Sequence, residues 1–456
     1  MNKPFKFDNL ILNFTLSTLL LFSFIFILEP VLSTSTIKIK FPFISSYTNV
    51  NIMNIKDRQP SLYSKNGYSY TYINTNYYNQ ANNYLYVVGP ICESDVYTLK
   101  FNYQLTDLKG LFKNCKDIKS IEFIGFDFSK VTDTSEMFHN CTSLTSISLG
   151  SNNANNVIIM SYMFSNCSSL SNIDLTIFKN SLVTDVSYMF QNCSSLTEIK
   201  LLDFKTSNVE KMDGMFELCS NLVRLEQNFD TSKVVSMEKM FSNCKKLEIL
   251  NISNFDVSSV TNMNSMFKGC IKLNSINLFN KKTLSLINMG SMFQSCSSLE
   301  ELDLSNIDTS SVQFMNDLFH DCISLNAPTK FEFNTEKVIK MESMFENCKS
   351  FKALNLSSFY TPSLRQIYSM FSGCTSMLSI DISNFDTFQI TNFANLFANC
   401  NSLKTINLKN FITKMVTNMT QMFCNCSLLA SIDISHFDTQ RLIEMNSMFK
   451  GCSSLE

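Results

Sequence analysis

The fold this sequence predicts is an elongated right-handed α/β solenoid, with one short parallel strand and one helix per 26-residue repeat. Three observations carry that expectation. A cysteine returns at an almost constant step, the apolar pattern changes period between successive cysteines, and a short polar start signal stands at the changeover. The cysteines are Cys115, Cys141, Cys167, Cys193, Cys219, Cys244, Cys270, Cys296, Cys322, Cys348, Cys374, Cys400, Cys426 and Cys452. Every step is 26 residues except Cys219 to Cys244, which is 25. A unit of this size cannot bury its own apolar face and does so against its neighbours.

The repeat from Cys244 to Cys270 shows the two periods. Leu247, Leu250 and Ile252 point to one side of a short extended segment, with Leu250 and Ile252 two apart. Val260, Met263, Met266, Phe267 and Cys270 then follow a spacing that covers a stripe about 120° wide on a helix. Asp256, Ser258 and Ser259 precede that stripe, where short oxygen-bearing side chains could accept from the free amides of a helix start. The signal recurs at Asp230-Thr231-Ser232, Asp308-Thr309-Ser310, Asp386-Thr387 and Asp438-Thr439. Strand, turn and helix in so few residues imply a right-handed crossover and parallel strands in register. At the usual strand spacing, thirteen steps give a sheet about 60 Å long. The architecture expected is leucine-rich-repeat-like.

The pattern M-F-x-x-C-x-x-L-x-x-I-x-L-x-x-F-D-T-S-x-V-x-x-M resembles that of BspA-like surface proteins built from 26-residue leucine-rich-type repeats. The resemblance covers Leu105 to Glu456, and the Met-Phe pair recurs from Met137-Phe138 to Met448-Phe449 with Leu replacing Met at Leu111, Leu318 and Leu396. It implies a surface-displayed protein used for adhesion or protein binding. It supplies no catalytic residues and no cofactor.

Ahead of the repeats, residues 1–33 read as a signal peptide or signal-anchor. Lys3 and Lys6 precede the apolar run Leu10 to Leu28, then Pro30 and a cleavage point at Val31-Leu32-Ser33. Either form puts the repeats outside the cytosol, with the membrane touched only through an uncut leader. Residues 34–104 read as a β-rich cap, from the alternation in Tyr68-Ser69-Tyr70-Thr71-Tyr72 and Tyr84-Leu85-Tyr86-Val87-Val88 and the Asn66-Gly67 turn signal. Residues 105–456 form the solenoid of about fourteen repeats.

A net charge of −2 argues against a nucleic-acid partner, which needs a basic face. His139, His320 and His436 cannot converge on a metal, since the first two share a repeat position seven turns apart and the third sits alone in a turn. Equivalent cysteines on in-register rungs run parallel, too far apart at Cβ for a disulfide, so the ladder reads as buried unpaired thiols. Serine at Cys296 would then bring a hydroxyl into an apolar stripe without an assured partner. Cys92 and Cys424 lie off the ladder and read as the more reactive thiols. Pro328 and Lys330 occupy inward strand positions, which predicts an interrupted sheet around 326–330 between helices Met315 to Phe319 and Met341 to Phe345.

The outward column between the two inward strand positions includes Asp174, Asn277, Asp303, Asn355, Asp381, Asn407 and Asp433. It is either a solvated face with amide bonds between rungs or the surface that receives a partner. The functional expectation is a non-enzymatic protein, secreted or held at the cell surface, that binds a protein or other surface macromolecule through its concave strand face. The alternative is a structural matrix component assembling through solenoid contacts.

Overall fold

A computed structural model describes residues 35–40, 49–54, 62–65, 68–70, 78–79, 84–88, 96–101, 104–179, 182–328 and 331–456. The apolar run, Cys92, Thr329 and Lys330 lie outside the described residues.

An α-helix needs consecutive residues in the right-handed region, and each repeat breaks that requirement twice. The residue before the Met-Phe pair has positive φ, as at Glu136 (56°), Ser265 (57°) and Ser343 (53°). So does the residue before the cysteine, as at Asn140 (64°), Asn192 (55°), Gly269 (72°) and Asn347 (59°). Asn and Gly adopt this conformation at least cost, and they fill most of the positions before the cysteines. At Gly269 an added Cβ would lie 2.5 Å from Asn243 Oδ1, so the Asn243 side chain would have to shift.

The expected helix is therefore replaced by a run of tight turns whose amides alternate between two destinations. In the Cys270 repeat, the N–H groups of Met266, Lys268 and Cys270 donate three residues back, to Met263, Ser265 and Phe267. Those of Met263, Ser265, Phe267 and Gly269 leave the rung and donate to Asn288, Gly290, Met292 and Gln294 of the next, at 2.7 to 2.9 Å. The start signal changes meaning too. Asp256 Oδ1 accepts from the amide of Ser258 at 3.1 Å and closes an Asx turn instead of capping a helix. Val260, Met263, Met266, Phe267 and Cys270 are nonetheless fully buried, so the stripe was a core stripe on a different backbone.

Fifteen strands are present among the described residues: β1 (Ser35–Lys40), β2 (Asn49–Asn54), β3 (Leu62–Lys65), β4 (Tyr68–Tyr70), β5 (Tyr78–Asn79), β6 (Tyr84–Val88), β7 (Val96–Phe101), β8 (Ser120–Ile124), β9 (Ser146–Ser148), β10 (Glu198–Leu201), β11 (Arg224–Gln227), β12 (Ile249–Asn251), β13 (Ser275–Asn277), β14 (Ala353–Asn355) and β15 (Ser379–Asp381). The N-terminal strands are antiparallel. β1 lies between β7 and the first repeat strand, with Ile37 opposite both Leu99 and Phe123, so one sheet runs from the N-terminal region into the solenoid. β3 and β4 pair with Lys65 opposite Tyr68, and the Asn66-Gly67 turn signal lies outside the described residues.

In the repeats the parallel strands are in register, but they pair in twos: β8 with β9, β10 with β11, β12 with β13 and β14 with β15. The uninterrupted strand sheet expected from the period is not formed among the described residues. Continuity lies instead beside the turn segment, where single bridges link rung to rung from Asp107↔Asp133 to Lys340↔Gln366 and resume at Asn392↔Asn418. Between β13 and β14 no strand forms among the described residues. Asn326 still donates to Glu300 at 2.9 Å, and Met315 to Lys340 at 3.0 Å, so the turn spine crosses this stretch intact, with turns where helices were expected.

The core is a column of phenylalanines. Fourteen rings from Phe112 to Phe449 stack one per rung at 5.3 to 6.0 Å between centroids, within 19° of parallel. The threonine of the F-D-T motif is buried and bridges rungs as well. Thr231 Oγ1 donates to Asp256 O at 2.9 Å, and Thr309 Oγ1 to Asn334 O at 2.9 Å. The single 25-residue step falls after β11, where the Gln227 side chain accepts from the Phe229 amide at 2.8 Å and closes the shortened loop.

The left-handed positions give a direct test. Asn192→Gly keeps the backbone and loses only the amide bond to Asn166 Oδ1 (2.8 Å), a cost of about 1 kcal/mol. Asn192→Val adds the penalty of a β-branched residue at positive φ, about 1–2 kcal/mol more. Urea unfolding should rank the valine variant clearly below the glycine variant; equal losses would mean the backbone conformation is not the constraint.

Candidate partner-binding face and cysteine column

An aspartate or asparagine at a strand end can fold its side-chain oxygen back onto the amide two residues on. The outward strand column does this. Asp174 accepts from Thr176, Asp303 from Ser305, Asn355 from Ser357, Asp381 from Ser383, Asn407 from Lys409 and Asp433 from Ser435, at 2.9 to 3.0 Å. All six are exposed, as is Asn277. The amide bonds between rungs that the sequence suggested for this column are replaced by bonds within each rung. Asp303 and Asp433 are held below the usual carboxylate range, Asp303 first by the Ser305 amide and Asp433 first by the Ser435 hydroxyl.

The face is indented where strand pairing lapses. No strand pairing joins residues 172–175 to β10 among the described residues. A groove of about 690 Å³ opens there, carrying Asn172, Asp174, Glu198 and Asp203 beside Lys200. A second of about 360 Å³ opens beside β14, lined by Pro328, Lys352 and Asn355 among others.

The cysteine column faces the other way, into the core. Cys115 through Cys426 on the ladder are fully buried and free, and Cys452 is half-buried. From Cys141 onward each thiol donates to the carbonyl of a phenylalanine in the preceding rung at 3.0 to 3.2 Å, Cys141 to Phe112 and Cys296 to Phe267 being examples. The same Phe267 oxygen also accepts from the Cys270 amide. Burial pushes these thiols up, Cys167, Cys219 and Cys270 to about 12. The expectation that a hydroxyl at Cys296 would lack a partner is corrected by Phe267. Cys424, expected to be reactive at a polar position, is only 7% exposed.

His139 and His320 do share a repeat position, with opposite surroundings. Burial lowers His139, helped by Lys113. His320 lies 3.2 Å from Asp317 and 3.5 Å from Asp321. Its pKa is raised first by the Asp317 hydrogen bond and then, against the opposing effect of burial, by Asp321 and Glu346. His436 Nε2 lies 3.1 Å from Leu408 O. No group of three metal-ligating side chains forms among the described residues.

These features define a β-solenoid of 26-residue turns with free buried thiols and a self-capped strand face. The chain belongs to the family described as Mycoplasma protein of unknown function, DUF285, whose profile matches residues 106–224, 195–300, 220–328, 276–380 and 365–456. The BspA-like repeat read from the sequence holds at this level. No curated protein matches. Among solved structures, the chain is similar to a leucine-rich repeat protein from Eubacterium ventriosum at 13% identity, covering 73% of this chain and 90% of that one, with a TM-score of 0.32. It is also similar to TLR13 solved in complex with ssRNA13, at 14% identity, covering 77% and 61%, with a TM-score of 0.21.

Two outcomes follow. Native protein should resist alkylation at the ladder thiols from Cys115 to Cys426 and label there only after denaturation, and Cys296→Ser should cost under about 1 kcal/mol because the new hydroxyl inherits the Phe267 carbonyl. Peptides joined between rungs by disulfides would overturn the first expectation. For His320, a raised pKa contributes stability that is full below the ordinary imidazole value of about 6.5 and lost as pH rises through the folded value. The stability difference between the protein and His320→Gln should therefore shrink with rising pH, and a difference that grew would reverse the assignment.

Proposed function

We propose that the protein is exported by its first 33 residues and displayed at the cell surface. There it binds another macromolecule, a protein first among them, through the strand face in an adhesive role. Residues 34–104 close the N-terminal end of the stack. The observation that supports this reading is the division of labour between faces. The turn spine spends its backbone donors on the next rung, whereas the strand face caps itself within each rung and leaves exposed side chains and two grooves for a partner. The carboxylates of that face, Asp174, Asp303, Asp381 and Asp433, favour a partner presenting basic groups.

Surface digestion of intact cells should remove the protein, and purified full-length chain should compete with cell attachment. Asp303→Asn, Asp381→Asn and Asp433→Asn together keep the turn-closing oxygens and remove three charges. That variant should compete several-fold more weakly, with an unchanged unfolding midpoint. Competition equal to that of the unaltered protein would remove the strand face from the function.

A further inference from the structure

Seven N-x-Ser/Thr sequences lie among the described residues, beginning at Asn140, Asn166, Asn192, Asn251, Asn355, Asn418 and Asn425. Such a sequence accepts an N-linked oligosaccharide when its amide nitrogen is available. The structure separates the seven. Asn140, Asn192 and Asn425 sit before ladder cysteines at positive φ and donate their amides to Asn114, Asn166 and Asn399 of the preceding rung at 2.8 to 2.9 Å. Asn166 supplies its oxygen to Asn192 in that same ladder. Asn418 donates to Glu444 at 2.6 Å. A sugar on these nitrogens would stand between rungs that are one strand spacing apart.

Asn251 and Asn355 differ in how their side-chain amides are used, although Asn425 is exposed as they are. Both are exposed on the strand face, and each folds its oxygen onto the amide of the serine two residues on, at 3.1 and 3.0 Å. That bond holds the side-chain amide in a turn with the serine that completes the sequence. Neither nitrogen has a hydrogen-bond partner among the described residues. The intervening Ile252 and Leu356 are buried and anchor the turn. Beside Asn355 lies the groove of about 360 Å³, open space for a first sugar.

We propose that Asn251 and Asn355 are attachment sites for N-linked oligosaccharide, donated by a lipid-diphosphate-linked sugar. The amide nitrogen attacks C1 of that sugar, an N–C bond forms, the C–O bond to the diphosphate breaks, and the nitrogen's proton leaves to a base. The physiological reaction rests on the export reading above, since such donors are met on the way out of the cell. The acceptor geometry does not. Carbohydrate on Asn251 and Asn355 would mark off two stretches of the strand face, leaving the groove between 172–175 and β10 open.

Two measurements separate the site from the export. In the first, purified folded full-length protein is treated with a soluble, nucleotide-sugar-dependent asparagine glycosyltransferase that reads N-x-Ser/Thr, and site occupancy is mapped by peptide mass spectrometry. Asn251 and Asn355 should take sugar in the native protein, and Asn140, Asn192 and Asn425 only after denaturation. Native labelling at those three equal to that at Asn251 and Asn355, or no labelling at Asn251 and Asn355, overturns the proposal. In the second, the full chain is expressed in a cell that performs N-linked transfer. Secreted folded protein should carry glycan at Asn251 and Asn355, and Asn251→Gln with Asn355→Gln should remove it. Native labelling in the first measurement without secretion in the second would sustain the sites and reject the export.

Discussion

The alternate backbone amides that leave one rung for the next set the terms for the rest of the molecule. In an α-helix every amide is spent inside its own segment. Here the residues at positive φ turn every second N–H along the long axis, and those donors meet carbonyls of the following rung. The backbone of a rung is therefore unsatisfied without a neighbour. That condition, more than the apolar stripe, makes the repeat a solenoid unit rather than a small independent motif.

The side chains follow from the same geometry. Once the turn backbone is in register, equivalent residues are forced into columns, and each column must tolerate its own copy one step away. Phenylalanine does so by offset stacking, as in the fourteen-ring column. Cysteine does so because a small thiol can donate backward to a phenylalanine carbonyl already engaged by an amide, so no acceptor is taken from the backbone ladder. Threonine of the F-D-T motif does so with its hydroxyl aimed at the next rung. A column of acids would repel itself. Where acids come close together near the spine, as at Asp317 and Asp321, His320 lies between them.

Period, inward residues and parallel register were legible because they depend only on which residues recur and at what step. Leu247, Leu250, Ile252 and the Val260 to Cys270 stripe are all buried as read. The helix was misread because apolar offsets of three and four fit a helix and a chain of i→i−3 turns equally well. The discriminating signal was present in the asparagine or glycine that precedes most ladder cysteines, since Asn140, Asn192, Gly269 and Gly373 would be poor choices inside the last turn of successive helices. Capping was misassigned for a related reason. Asp256 followed by Ser258 serves a helix start and an Asx turn with the same atoms, and only the backbone that follows decides between them. The strand column was legible as exposed, but its bonds two residues ahead were not, because strand residues invite reasoning about neighbours across the sheet.

That local capping bears on how such a protein could change its surface without losing its fold. A side chain that bonds to the next rung is constrained by two repeats at once, so a substitution there disturbs both. The side chains of Asn355 and Asp381 are bonded within a turn of their own, and Ala353 and Ser379 beside them on the strand face are exposed. The strands pair in twos while the spine runs on, so the face can open into grooves without interrupting the main axis of hydrogen bonding. Stability is concentrated on one side of the solenoid and chemical freedom on the other, which is the arrangement a scaffold needs if its recognition surface is to vary.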